Sequence, residues 1–184
     1  VDACEALIDM VGFDIYKFAG LLAKSNPTMI EWLCTDIIYH GKRPEAFVKF
    51  AREEDNPKAL YHHYRSMCRN NYEKYLKSGK LISYKKYLYT YRGLINALIS
   101  KDQIPPLKME AAIRLVDIPE RVKQRLLKMI AMKKSGNEKD MISNIPQLDS
   151  YIEKFLRSED GPEARRPDIS ILDEAVKSII LGTS

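Results

Sequence analysis

Apolar and polar side chains recur along most of this chain with a helical period. An opening apolar run, Ala6 to Phe13, is broken by Gly12 and predicts a short strand carrying Asp9. Asp14 then caps a helix over Ile15 to Lys24, with Phe18, Leu21 and Leu22 on its buried side. Ser25-Asn26-Pro27 stops it, because the residue before a proline is pushed out of the helical region. A second short helix follows from Pro27 to Leu33, Ile37-Ile38-Tyr39 is a candidate edge strand, and Pro44 suits the first turn of a helix running to about Arg52.

The strongest periodicity comes next. From Lys58, the residues Leu60, Tyr64, Met67, Tyr72, Tyr75 and Leu76 form an apolar stripe, while Lys58, His62, Arg65 and Arg69 share another face. Gly79 marks the end of that helix and Ser83 is a candidate cap for the next. In the second helix Tyr84, Leu88, Tyr91, Ile95 and Leu98 are the stripe, and Lys85, Tyr89, Arg92 and Asn96 the polar face. Packed as a hairpin, the two would set two basic rows along one groove. Trp32 and the tyrosine stripe are expected to be structural, with Trp32 buried.

Beyond the hairpin the pattern loosens. Pro105-Pro106 breaks the chain, helices are predicted over Lys108 to Leu115, from Pro119 to about Lys133 and over Ile145 to Arg157, and Ser135 to Asp140 is a polar loop. Ser158 to Asp168, with two prolines, a glycine and six charges, has the composition of a linker. Ile169 to Leu181 is a last amphipathic helix with Leu172, Val176 and Ile179 on one side.

Charge changes the picture at one place. The stretch from Tyr61 to Lys101 holds eight of the eleven tyrosines and nine Lys and Arg against a single acid, Glu73. It carries +8 in a chain of net +5, so the remainder sums to −3. Such a local field attracts phosphate or anionic polymers. A solvated basic face over a tyrosine core fits the same pattern.

Composition bounds the rest. With 184 residues, 45% apolar and 30% charged, the chain is long enough for a real core. Three widely spaced cysteines make neither a CxxC pair nor a disulfide framework, which points to a reducing, cytoplasmic compartment. No apolar run is long enough to span a bilayer, and no basic leader precedes the first apolar segment. The pair His62 and His63 with Cys68 matches no zinc spacing, and Glu53-Glu54-Asp55 reads as a solvated turn. Asp9, flanked by Ile8 and Met10 on the expected strand, points opposite to both.

The runs IDMVGFDIYKFAGLLAKSNPTMIEWL, ALYHHYRSMCRNNYEKYL and KKYLYTYRGLINA resemble the predicted nucleotidyltransferases of the DNA polymerase β superfamily, in the branch named for an RNA repair pathway. The resemblance is clear from Ile8 to Ile99 and weaker to about Leu156. It implies that Asp9 is the third of three carboxylates that hold catalytic divalent cations, Mg²⁺ here, and is thus both catalytic and a metal ligand. It further implies that Arg65, Arg69, Lys85, Lys86, Tyr89 and Arg92 contact a nucleoside triphosphate or an RNA end. The reaction would be metal-assisted in-line attack on the α-phosphate.

The Gly-Ser turn and the Asp-x-Asp pair of that superfamily do not occur in this sequence. The chain therefore reads as the C-terminal part of such an enzyme, inactive until joined to an N-terminal segment that supplies them. The expected fold is mainly α, a helical domain with a short β remnant at its start. Residues 1–40 would be the remnant of the α/β domain, 41–157 the helical C-terminal domain, 158–168 a linker and 169–184 a terminal helix. Two other readings stand beside transferase: a non-catalytic helical nucleic-acid-binding module, and a protein-interaction scaffold.

Overall fold

Side-chain caps set where three of the described helices begin. In the structure, a computed structural model that describes residues 12–38, 41, 44–77, 81–137, 141–158 and 160–182, the Asp14 carboxylate accepts from Lys17 N at 2.9 Å and starts α1 (Ile15–Ala23). The expected strand over Ala6 to Phe13 lies outside the described residues except for Gly12 and Phe13. Asn26 accepts from Thr28 N and Met29 N, with Pro27 as the first residue of α2 (Pro27–Cys34). Asn56 and Pro57 repeat the device at the start of α4 (Pro57–Asn71), after α3 (Glu45–Glu53). Proline fits there because its missing N–H would have no partner in the first turn. The two Asn-Pro starts are joined: Ser25, in the left-handed region at φ 52°, turns its buried hydroxyl oxygen to accept from Asn56 N at 2.7 Å.

α4 ends in a wide π turn over Tyr72–Leu76, closed by Lys77 N donating to Tyr72 O at 2.9 Å. The glycine stop expected after it lies outside the described residues. Next comes β1 (Leu81–Ser83), which pairs antiparallel with β2 (Met141–Ser143), Ile82 facing Ile142. Ser83 makes no side-chain cap, so the expectation of a serine cap is corrected: the residue is the last of a strand, and α5 (Tyr84–Ile99) runs straight out of it. α6 (Met109–Leu115), α7 (Glu120–Met132), α8 (Pro146–Arg157) and α9 (Ser170–Leu181) complete the order. Among the described residues Ile37 and Ile38 form no strand and stand exposed, which corrects the edge-strand expectation.

α5 is the axis of the core. Leu88, Tyr91, Leu94, Ile95 and Ala97 are buried, and α4, α6, α7 and α8 all pack on it. Asn96, expected on the polar face, is 3% exposed, because neighbours cover α5 on nearly every side. At Gly93 an added Cβ would stand 2.7 Å from Cys68 N and 2.9 Å from both Cys68 Cα and Tyr64 O. The α4 and α5 backbones thus meet where glycine leaves room. Cys68 is fully buried at this crossing, and burial pushes its thiol up to about 12.

Tyrosine hydroxyls fasten α8 to this hairpin. Tyr91 donates to Leu148 O at 2.9 Å, and Tyr72 donates to Glu153 Oε1 at 2.6 Å. Tyr87 donates to Asp149 Oδ1 and accepts from Ile145 N, both at 2.9 Å. Tyr72 and Tyr91 of the stripe are therefore structural, as expected, and Tyr87 joins them. Trp32 is not buried: it is 40% exposed, tilted against Phe13 at 5.6 Å between ring centroids. The inward face of α2 is taken by Met29, Ile30 and Leu33, which leaves the indole at the rim. At the far end of the chain, α9 buries Leu172 and Val176 in the same apolar cluster and packs on α1 and α3. The segment before it packs too, with Gly161 against the Tyr61 ring and Arg165 donating to Glu53 O at 3.0 Å.

Two glycines inside helices predict opposite outcomes. Gly93→Ala forces backbone apart and costs about 1–3 kcal/mol or more, read as a lower urea midpoint. Gly20→Ala, where a Cβ meets nothing within 4 Å, gains about 0.5–1 kcal/mol from helix propensity. Equal midpoints for the two variants would refute the close crossing. Tyr87→Phe strips one partner each from Ile145 N and Asp149, and is expected to cost about 1–3 kcal/mol by the same measurement.

Candidate phosphate-binding site

The cations singled out in the sequence fall in three places, and each has a different local cause. On α4, Arg65 turns toward the end of α8, where its Nη2 donates to Leu156 O at 2.7 Å and Ser158 O at 2.8 Å. The last carbonyls of a helix have no partner within it and carry the negative end of its dipole, so a guanidinium is well suited to close them. One turn on, Arg69 is exposed. Together with Tyr61, His62, Leu156 and Arg157 these two arginines line a groove of about 270 Å³. Arg157 comes from α8, far along the chain, and no local pattern points to it; its nearer partner is Glu153, at 3.2 Å.

Charge in this groove is only partly compensated. Arg69 makes no ion pair with any described carboxylate. Arg65 is bonded to carbonyl dipoles, which hold its orientation without cancelling its charge. Burial pushes the Tyr61 phenol up, Arg65 pulling it back and Asp160 adding to the rise. The Lys101 ammonium stands 5.5 Å from the Tyr61 ring centroid.

A second cluster joins three helices. Arg92 on α5 donates through Nη2 to both oxygens of Glu31 on α2, at 3.1 and 3.2 Å, and the Tyr64 hydroxyl on α4 donates to Glu31 Oε1 at 3.2 Å. Burial, reinforced by the Glu31 charge, raises the Tyr64 phenol well above its ordinary range. Arg92 is thus already matched by a carboxylate. The third cluster lies around the π turn and the start of α5. Lys86 sits 3.7 Å and Lys74 5.2 Å from the Tyr75 ring centroid, and hydrogen bonds from both pull the Tyr75 phenol down. Lys85 stands 5.8 Å from the ring of Tyr89, which is itself exposed. No described carboxylate pairs with these lysines.

The two basic rows therefore do not share one groove. Arg65 and Arg69 face the end of α8, Arg92 faces α2, Lys86 lies at the Tyr75 ring and Lys85 at the Tyr89 ring. Asp9 lies outside the described residues. Among the described residues no three His, Cys, Asp or Glu side chains stand together so as to hold a metal ion. Of the acid run, Glu54 accepts from Asp168 N at 2.9 Å, and Asp55 is buried, its carboxyl raised by desolvation against the pull of Arg165. Those groups do not fit a hard cation, which needs several oxygen ligands around it. No described helix is long and apolar enough to cross a membrane.

Comparison with known proteins extends the resemblance read from the motifs. An uncharacterized protein of Bacillus subtilis (strain 168), YcgL, is 32% identical over 152 residues, covering 80% of this chain and 58% of the relative. The chain thus spans 58% of the length of that relative. No solved structure matches. The family match runs over residues 2–177, through the proline-rich segment and into α9, beyond the point near Leu156 where the motif resemblance fades. On that match, carried by nearly the whole chain, the protein belongs to the RNA repair pathway DNA polymerase beta family.

Proposed function

We propose that this chain serves nucleotide transfer, as part of a nucleotidyltransferase that takes a nucleotide from a nucleoside triphosphate, with RNA as the acceptor. Family membership supports the reaction class. The observation that carries the reading is the groove at the end of α8, where Arg65, Arg69 and Arg157 converge beside His62. A polyphosphate brings several negative charges into any site that binds it, and guanidinium groups meet phosphate oxygens in a fixed fork. Arg65 is held in place by the two carbonyls it closes, so its charge is positioned before any ligand arrives. Arg69 supplies the donors.

Lys85, Lys86 and Tyr89 offer a second contact region, suited to the backbone and bases of a strand. Mg²⁺ belongs to the proposal as the ion that would offset triphosphate charge, with Asp9 as its ligand. No described residue set fits it, and the roles assigned to the arginines, lysines and Tyr89 are those of a binding surface alone.

The test is incorporation of labelled nucleotide into RNA by the full-length protein with Mg²⁺ and each nucleoside triphosphate in turn. Transfer is expected, lost in Asp9→Ala and reduced about tenfold in Arg69→Gln, a loss near 1.4 kcal/mol. Absence of transfer with every nucleotide, alongside intact RNA binding, would leave the non-catalytic binding module instead. Arg65→Met separates holding from binding. It should lower the urea midpoint by an amount equivalent to about 1.5–3 kcal/mol, whereas Arg69→Gln should stay within about 0.5 kcal/mol of wild type.

A further inference from the structure

A larger groove than the one at the end of α8 lies apart from these clusters. It is a groove of about 740 Å³ between α7, β2 and the starts of α5 and α8. Along one wall Arg121, Arg125 and Lys128 follow one another at helical spacings of four and three, so the three cations share a face of α7. All three are exposed, and none pairs with a described carboxylate. The apolar part of the lining, its floor, comes from Met129, Ile142 and Tyr84. No Asp or Glu lines the groove among the described residues. Asp149, just beyond it on α8, is occupied by the Tyr87 hydroxyl.

We propose that this groove is the docking site for single-stranded RNA, the acceptor strand of the reaction proposed above, on which this inference rests. The chemistry of the groove selects that occupant. Three cations in a row, paired with no described carboxylate, match a backbone with one charge per nucleotide. An apolar floor with an aromatic ring receives bases by stacking, which needs no particular sequence. Gln124 and Gln147, also in the lining, present amides that both donate and accept, as the edges of unpaired bases require. A duplex hides those edges and faces in its stack, so the apolar floor would be wasted on it. An acidic peptide would satisfy the cations and leave the ring and floor without purpose.

Sequence reading passes over this site for a clear reason. The α7 row lies outside the basic tyrosine-rich stretch, and its floor is assembled from β2, α5 and α8, which are brought together only by the fold. The β1–β2 pairing is what places Ile142 there, since Ile82 opposite it is buried in the core.

The experiment is fluorescence anisotropy of a labelled twelve-nucleotide single-stranded RNA over a salt series, with the full-length protein. The comparison is a triple variant, Arg121→Gln with Arg125→Gln and Lys128→Gln, whose exposed positions leave the fold intact by circular dichroism. Affinity at physiological salt should fall about tenfold or more, and the slope of log K against log salt should fall by about two, three contacts at about 0.7 each. Tyr84→Leu keeps the bulk and removes the stacking face; it should weaken binding several-fold with the slope unchanged. Unchanged affinity and slope in the triple variant would overturn the proposal, as would poly-glutamate displacing the RNA more readily than unlabelled RNA does. These outcomes need no catalysis. Loss of transfer with retained, α7-dependent RNA binding would count against the transferase reading and not against this groove. RNA binding that instead depends on Arg69, Lys85 and Lys86 alone would count against the groove and not against the reading.

Discussion

The contact between the α4 and α5 backbones at Gly93 is what the rest of the molecule depends on. With a Cβ excluded there by Cys68 and Tyr64, the two helices lie close enough for their tyrosines to reach past each other rather than fill the gap between them. Tyr72 and Tyr87, one from each arm, end on the same face of α8, and Tyr91 adds a third bond to its first turn. An apolar stripe alone would hold α8 against the hairpin with little preference for register. Hydroxyls aimed at named carbonyls and carboxylates fix it, because a buried polar group left without its partner costs more than the bond itself contributes. Both grooves are bordered by α8, one at each end, so their shapes are set by that register.

Much of this was legible in the sequence. Helix limits fell within about a residue of the expected ones where a cap or proline marked them, as at Asp14, Asn26-Pro27 and Pro119, since these signals act within one turn of chain. The tyrosine stripes were legible for the same reason. What escaped is whatever depends on distant partners. The three-residue strands β1 and β2 pair across about sixty residues of sequence and are too short to show alternation. Trp32 was expected in the core from its place in a short apolar helix after a proline stop, yet Met29, Ile30 and Leu33 already fill the inward face of α2. Nothing local to Gly93 shows that its lack of a side chain is what lets the helices meet.

The candidate site was legible as charge and not as geometry. Counting Lys and Arg marked a stretch but could not divide it, because the division depends on which groups lie opposite. Arg92 faces Glu31, and Arg65 faces the end of α8, while Lys85 and Lys86 face tyrosine rings. The choice of residue type is consistent with those surroundings. Planar guanidinium groups stand where two oxygens must be held at once, and flexible, strongly hydrated ammonium groups stand where a ring and open solvent are the neighbours.

A further distinction follows from what each arginine is bonded to. The carboxylate of Glu31 cancels the charge of Arg92, so that pair contributes to the union of α2, α4 and α5 and little to the field outside. Carbonyls cancel no net charge. Arg65 is as firmly held as Arg92, yet its full positive charge remains available to whatever enters the groove beside it. Flexible cations must give up rotamer freedom when they meet an anion, at up to about 2 kcal/mol for a long side chain. Arg65 has already lost that freedom on folding, through bonds that stabilise α8. A residue spent on the fold is, for this reason, not a residue lost to binding, and the same two hydrogen bonds that make Arg65 structural make it the best-placed charge in the groove.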